Sequence, residues 1–145
     1  MAFRFPLAII LKLRESVEER EERTLQRIQA EMVLVENQIE EQNELIANAF
    51  VERERILQKL APAYRLHAVL GDAQAAEDKK QMLFEQLHLL EQQRQQQVKI
   101  YQAAHRDRET LTNMSDAQRG LYELEQARTE QKNLDDIFMA RFHRS

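Results

Sequence analysis

The sequence predicts an all-α fold, a long two-helix antiparallel coiled-coil hairpin with a short break near residues 61–72, and three observations carry the prediction. The first is composition. Of 145 residues, 43% are hydrophobic and 32% charged, with two Gly, two Pro, no Trp and no Cys; this balance suits long helices and leaves few residues for the turns of a compact domain. The second is a stripe within residues 25–60. Steps of three and four pass through Leu25, Ile28, Met32, Val35, Ile39, Gln42, Ile46, Ala49, Arg53, Ile56 and Leu60, interrupted only by Gln42 and Arg53. So narrow an apolar stripe is stable in water only against a similar one. The third is punctuation near the middle, where Pro62 and Gly71 separate two helix-forming stretches. The chain can therefore supply the partner helix itself.

Helix one is expected over residues 6–61. Pro6 is tolerated in a first helical turn, where its missing N–H has no bond to make. Phe3, Leu7, Ile10, Leu13 and Val17 then step by threes and fours, and one turn between Val17 and Leu25 has to be re-phased, because eight residues separate them instead of seven. Residues 15–23 are almost wholly charged and read as a solvated face, with Glu19 and Arg23 in favourable i,i+4 order. Pro62 ends the helix by pushing its predecessor out of the α region. Residues 62–72 are expected to form the tip, with Gly71 as a left-handed cap and Asp72 as the next N-cap.

Helix two is expected over residues 73–142, its stripe passing through Leu83, Leu87, Leu90, Tyr101 and Leu111, with Arg94, Gln97 and Arg108 intruding. Residues 92–97 (QQRQQQ) read as exposed helix, since Gln is a good helix former. Asn, Ser, Asp and Gly within residues 113–120 lower helix propensity and predict a kink. Reversal at residues 64–68 would set Ile46 near Leu87, Gln42 near Leu90 to Arg94, and Glu21 and Glu22 near Arg108. It would also gather Phe3, Phe5 and Leu7 with Phe138 and Phe142.

The same residues weigh against several functions. A net charge of −4, with bases interleaved among acids, offers no basic face for nucleic acid or a membrane surface. Residues 5–11 are apolar, but the run is too short to span a bilayer and is followed at once by Lys12, Arg14, Glu15 and Glu18, so a soluble cytoplasmic chain is expected. Without thiols, with three scattered serines and with His67, His88, His105 and His143 far apart, no nucleophile, metal or cofactor set emerges, and no enzyme is expected. Glu40 and Glu44 read as surface charges, Tyr101 and Tyr122 as stripe residues, and the two isolated glycines make no phosphate loop.

The ends of the chain are the distinctive part. Phe3-Arg4-Phe5-x-Leu7 with Leu11, Arg14 and Glu18, and Leu134-Asp135-Asp136 followed by Arg141-Phe142, resemble the opening and closing signatures of the FliJ family of flagellar type III export proteins. The resemblance spans essentially the full length. It implies an antiparallel coiled coil similar to the γ stalk of rotary ATPases, with the end carrying both termini inserted into the hexameric flagellar export ATPase. The opposite region would contact the membrane export gate protein, and export chaperones would be further partners. Carried onto this chain, the ATPase-ring contact falls on Phe3, Arg4, Phe5, Leu7, Leu134, Phe138, Arg141 and Phe142. Tyr64, Leu66, Phe84 and Leu87 are gate-contact candidates by position only. The resemblance further implies a monomer, cytoplasmic and peripheral at the inner face of the cell membrane, with no intrinsic membrane insertion.

Two alternatives stay open at this level. One is the equivalent stalk of an injectisome-type secretion system. The other is a generic coiled-coil scaffold or homodimer in which residues 25–60 pair between chains. A solution mass of 17.2 kDa would favour the hairpin over the dimer.

Overall fold

The structure, a computed structural model, describes residues 2–144. Two helices account for nearly all of them: α1, Ala8–Gln58, and α2, Ala63–Arg144, with no strand among the described residues. They pack antiparallel as an all-α hairpin. Contacts divide the chain into a turn unit, Glu22–Ile100, and a terminal unit, Met1–Glu21 with Tyr101–Ser145.

In the turn unit the α1 stripe is buried as its spacing requires: Ile28, Val35, Ile39, Ile46 and Ile56 on α1 are covered, as are Ala76, Leu83 and Leu90 on α2. Val35, Ile39, Leu83 and Leu90 form one cluster, with Met32 and Leu87 packed on it. No side chain is fully enclosed among the described residues, because two helices share one seam and have no third element to seal it. Leu25 is half-buried. Arg53, an interruption of the stripe, stacks its guanidinium 5.1 Å from the Phe50 ring, and its Nε is buried without a hydrogen bond.

The reversal lies earlier than the sequence suggests. The Ala61 N–H donates to the Ile56 carbonyl at 3.3 Å, and Leu60 between them has a φ of 50°. This six-to-one bond across a left-handed residue is a Schellman end, with Leu60 where Gly is usual. Leu60 is thus a turn residue, 92% exposed, and does not belong to the seam. The Pro62 carbonyl accepts from Arg65 at 3.1 Å and opens α2 directly. Gly71 is helical and interior, with no positive φ at any glycine, so neither it nor Asp72 caps anything. The break expected over residues 61–72 shrinks to the few residues around Ala61, and α2 is also continuous through residues 113–120.

Moving the reversal moves the register. In each unit the paired residues are symmetric about Ala61, which places Val35 and Ile39 against the Leu83 to Leu90 segment, where Ile46 was expected. Gln42 lines a groove with Ala76 and Lys79, about four turns of helix from Arg94, which pairs with Glu91 of its own helix at 2.6 Å.

These backbone roles have opposite mutational signs. Ala at Gly71 meets nothing within 4 Å. Gly71→Ala is therefore expected to stabilise by about 0.5–1 kcal/mol, and Leu60→Gly to stabilise by a similar amount through relief of the left-handed strain. Thermal unfolding followed by circular dichroism reads both. A loss on Gly71→Ala would restore the cap at Gly71 and overturn the turn described above.

Candidate docking surface

The terminal unit closes differently. The stripe expected through Phe3, Leu7, Ile10, Leu13 and Val17 is covered only in part: Phe3, Leu7 and Val17 are half-buried, and Ile10 and Leu13 are exposed. Half-buried positions instead follow Leu7, Leu11, Glu18 and Glu21 into Leu25, keeping three-four spacing with Arg14 between, so no re-phasing occurs. Charged residues can occupy the seam here because α2 brings opposite charge to them.

Glu18 is the centre of that layer. Arg108 Nε donates to Glu18 Oε2 at 2.5 Å and Arg108 Nη2 to Oε1 at 3.4 Å, while His105 Nδ1 lies 3.0 Å from Oε1. Arg108 Nη1 also donates to Thr112 at 3.4 Å, His105 Nε2 lies 3.5 Å from Glu109, and Arg14 pairs with Asp107 at 3.6 Å. The hydrogen-bonded Arg108 guanidinium holds the Glu18 carboxyl below the ordinary glutamate range, against an opposing push from partial burial, with His105 adding to the lowering. Glu21 and Glu22 were expected beside Arg108; the register places Glu18 there, one turn earlier.

Near the start of α1, Phe3 stacks at 5.6 Å on Tyr122, Arg119 lies 5.5 Å over the Phe3 ring, and Phe5 is buried. Phe3, Arg4, Phe5, Ile9, Ser115 and Arg119 line a hollow of about 520 Å³. Tyr122 is the last residue of α2 with appreciable cover. Residues 123–144 are exposed throughout, including Leu134 at 61%, Phe138 at 68% and Phe142 at 66%.

The residues singled out as the ring contact therefore fall into two groups. Phe3, Arg4, Phe5 and Leu7 sit together opposite Arg119 and Tyr122. Leu134, Phe138, Arg141 and Phe142 lie farther along α2, so the two groups are not gathered. The cause is again the early reversal, which leaves the last six turns of α2 beyond the point opposite Phe3. Sequence reasoning also missed Ile9, 84% exposed, and Leu13, which extend the apolar surface; the helical spacing of Leu13 made it look like a stripe residue.

The gate candidates in the turn unit differ in availability. Tyr64 is exposed, Phe84 is exposed with Lys80 5.9 Å over its ring, and Leu66 is half-buried. Leu87 is half-buried and packs on the core. Among the described residues no helix is long and apolar enough to cross a membrane, and no cluster of three or more His, Cys, Asp or Glu could hold a metal ion.

An antiparallel pair of long helices, with no strand among the described residues, defines an all-α helical hairpin protein. The family model for the Flagellar FliJ protein matches residues 3–145, and the chain belongs to that family. It is a protein related to flagellar export. No curated protein and no solved structure gives a significant match.

Proposed function

We propose that this chain is the stalk and coupling component of flagellar export. A single copy seats its terminal unit in the hexameric export ATPase, presents the turn unit to the export gate, and meets export chaperones. It works in the cytoplasm, peripheral at the inner face of the cell membrane. One observation carries the ring contact: Leu134, Phe138 and Phe142 stay exposed on a continuous helix that α1 leaves uncovered. Apolar surface of this kind calls for a partner. Phe3, Arg4, Phe5, Leu7 and Arg141 extend the contact, and the gate contact falls on Tyr64, Leu66 and Phe84.

The coupling follows from symmetry and linkage. A two-helix element cannot touch six ring subunits equally, so it favours nucleotide closure at some of them, and nucleotide state must bias its seating in return. Phe138→Ala with Phe142→Ala is expected to lower stimulation of ATP hydrolysis by at least about tenfold, with helicity unchanged, since both side chains are exposed. Co-purification with the export ATPase and its hydrolysis rate provide the measurement. Full stimulation by the double variant would remove this contact from the reading.

A further inference from the structure

The exposed part of α2 is patterned for a second copy of itself. The positions that face α1 end at Tyr122, and continuing their spacing gives Glu125, Thr129, Lys132 and Asp136, all polar. Most of the apolar surface is displaced round the helix: Leu124, Ala127, Leu134, Phe138 and Phe142, with the polar Gln131 among them, fall within a sector of about 80°, and Leu121, Ile137 and Met139 lie about 60° to either side of it. This stripe is therefore not an unused continuation of the hairpin seam. It is a new seam with its own direction.

We propose that two copies of the protein pair antiparallel through residues 121–144, forming a short two-helix coiled coil. In that register Phe138 of one copy fills the space over the small Ala127 of the other, and Leu134 meets Gln131. On one flank Arg128 meets Asp135, and on the other Glu123 meets Arg144, each pair occurring twice by symmetry. No like charges face each other across either flank. Asp135 now accepts from Gln131 at 3.1 Å through one oxygen, leaving the other for Arg128 of the second copy. Parallel pairing is disfavoured, because it sets Arg141 against Arg141 at the edge of the seam and Glu130 beside Asp135, whereas the antiparallel register sets Arg141 against Leu124.

Three heptads of preformed helix with a polar Gln131 layer make a weak, concentration-dependent association, in the micromolar range or above. The pairing covers Phe138 and Phe142, so a paired copy cannot seat that surface elsewhere. It is nonetheless measured on the protein alone, and its failure leaves the ring contact untouched.

Sedimentation equilibrium of the full chain across a concentration series is the test. The mass is expected to rise from 17.2 kDa toward that of a dimer, less so in high salt. Asp135→Arg is expected to weaken association about tenfold, and Arg128→Asp added to it to restore the original constant, because the swapped charges meet again. Since the chain has no cysteine, a mixture of Gln131→Cys and Leu134→Cys chains should give a mixed disulfide under mild oxidation, which fixes the register. A mass that stays monomeric at several hundred micromolar, or a double swap no better than Asp135→Arg, overturns the proposal.

Discussion

Leu83→Ala is expected to destabilise the turn unit by about 2–4 kcal/mol, a large part of what one helix–helix seam supplies. Leu83 is 6% exposed and touches the cluster of Val35, Ile39 and Leu90, so truncation removes apolar contact on both helices at once. Met82 is its neighbour in sequence on the outer side of the same helix and is largely exposed. Met82→Ala should therefore lie within about 0.5 kcal/mol of the parent. Urea unfolding of the two variants, followed by circular dichroism, separates seam burial from helix propensity, which the two changes alter alike. Equal losses would mean that α2 turns a different face to α1.

Glu18→Gln is the second large effect, and its size depends on pH. At neutral pH the change removes a charge-assisted contact with Arg108 and His105 and should cost about 1–2 kcal/mol, in a site where Glu18 and Arg108 are both mostly covered. The folded-state pKa of Glu18 is depressed. Its stabilisation is therefore complete above the unfolded glutamate value of about 4.3 and is lost as pH falls through the lower folded value. The gap between parent and variant should be open at pH 7 and close as the pH falls below the ordinary glutamate range. Hydrogen exchange of the amides around Tyr101 to Thr112 reads the terminal unit directly. A gap unchanged by acid would assign the loss to packing and not to charge.

The turn shows where sequence reasoning reached and where it stopped. Pro62 marks the end of α1 in any conformation, because the restriction on its predecessor is local. Leu60 gives no such signal. Nothing in a leucine favours a positive φ, so a Schellman end built on it is invisible until the chain is folded, and Gly71 attracted the cap instead. That one displacement shifted every cross-helix pair, removed Gln42 from Arg94, and separated Phe3 from Phe138. The stripe over residues 25–56 was legible because burial follows periodicity wherever one apolar face meets another. At the start of α1 it misled: Ile10 and Leu13 have the right spacing, but Glu18 takes the seam because Arg108 and His105 wait opposite.

The amino-acid order alone determined two long helices, the end of the first before Pro62, and end motifs that resemble one family. Each depends on interactions within a few residues or on totals over the chain. Register, the charged layer at Glu18 and the exposure of residues 123–144 were decided only when α1 and α2 met. Coiled-coil stripes tolerate many alignments at nearly equal energy, and a single left-handed residue in the turn selects among them.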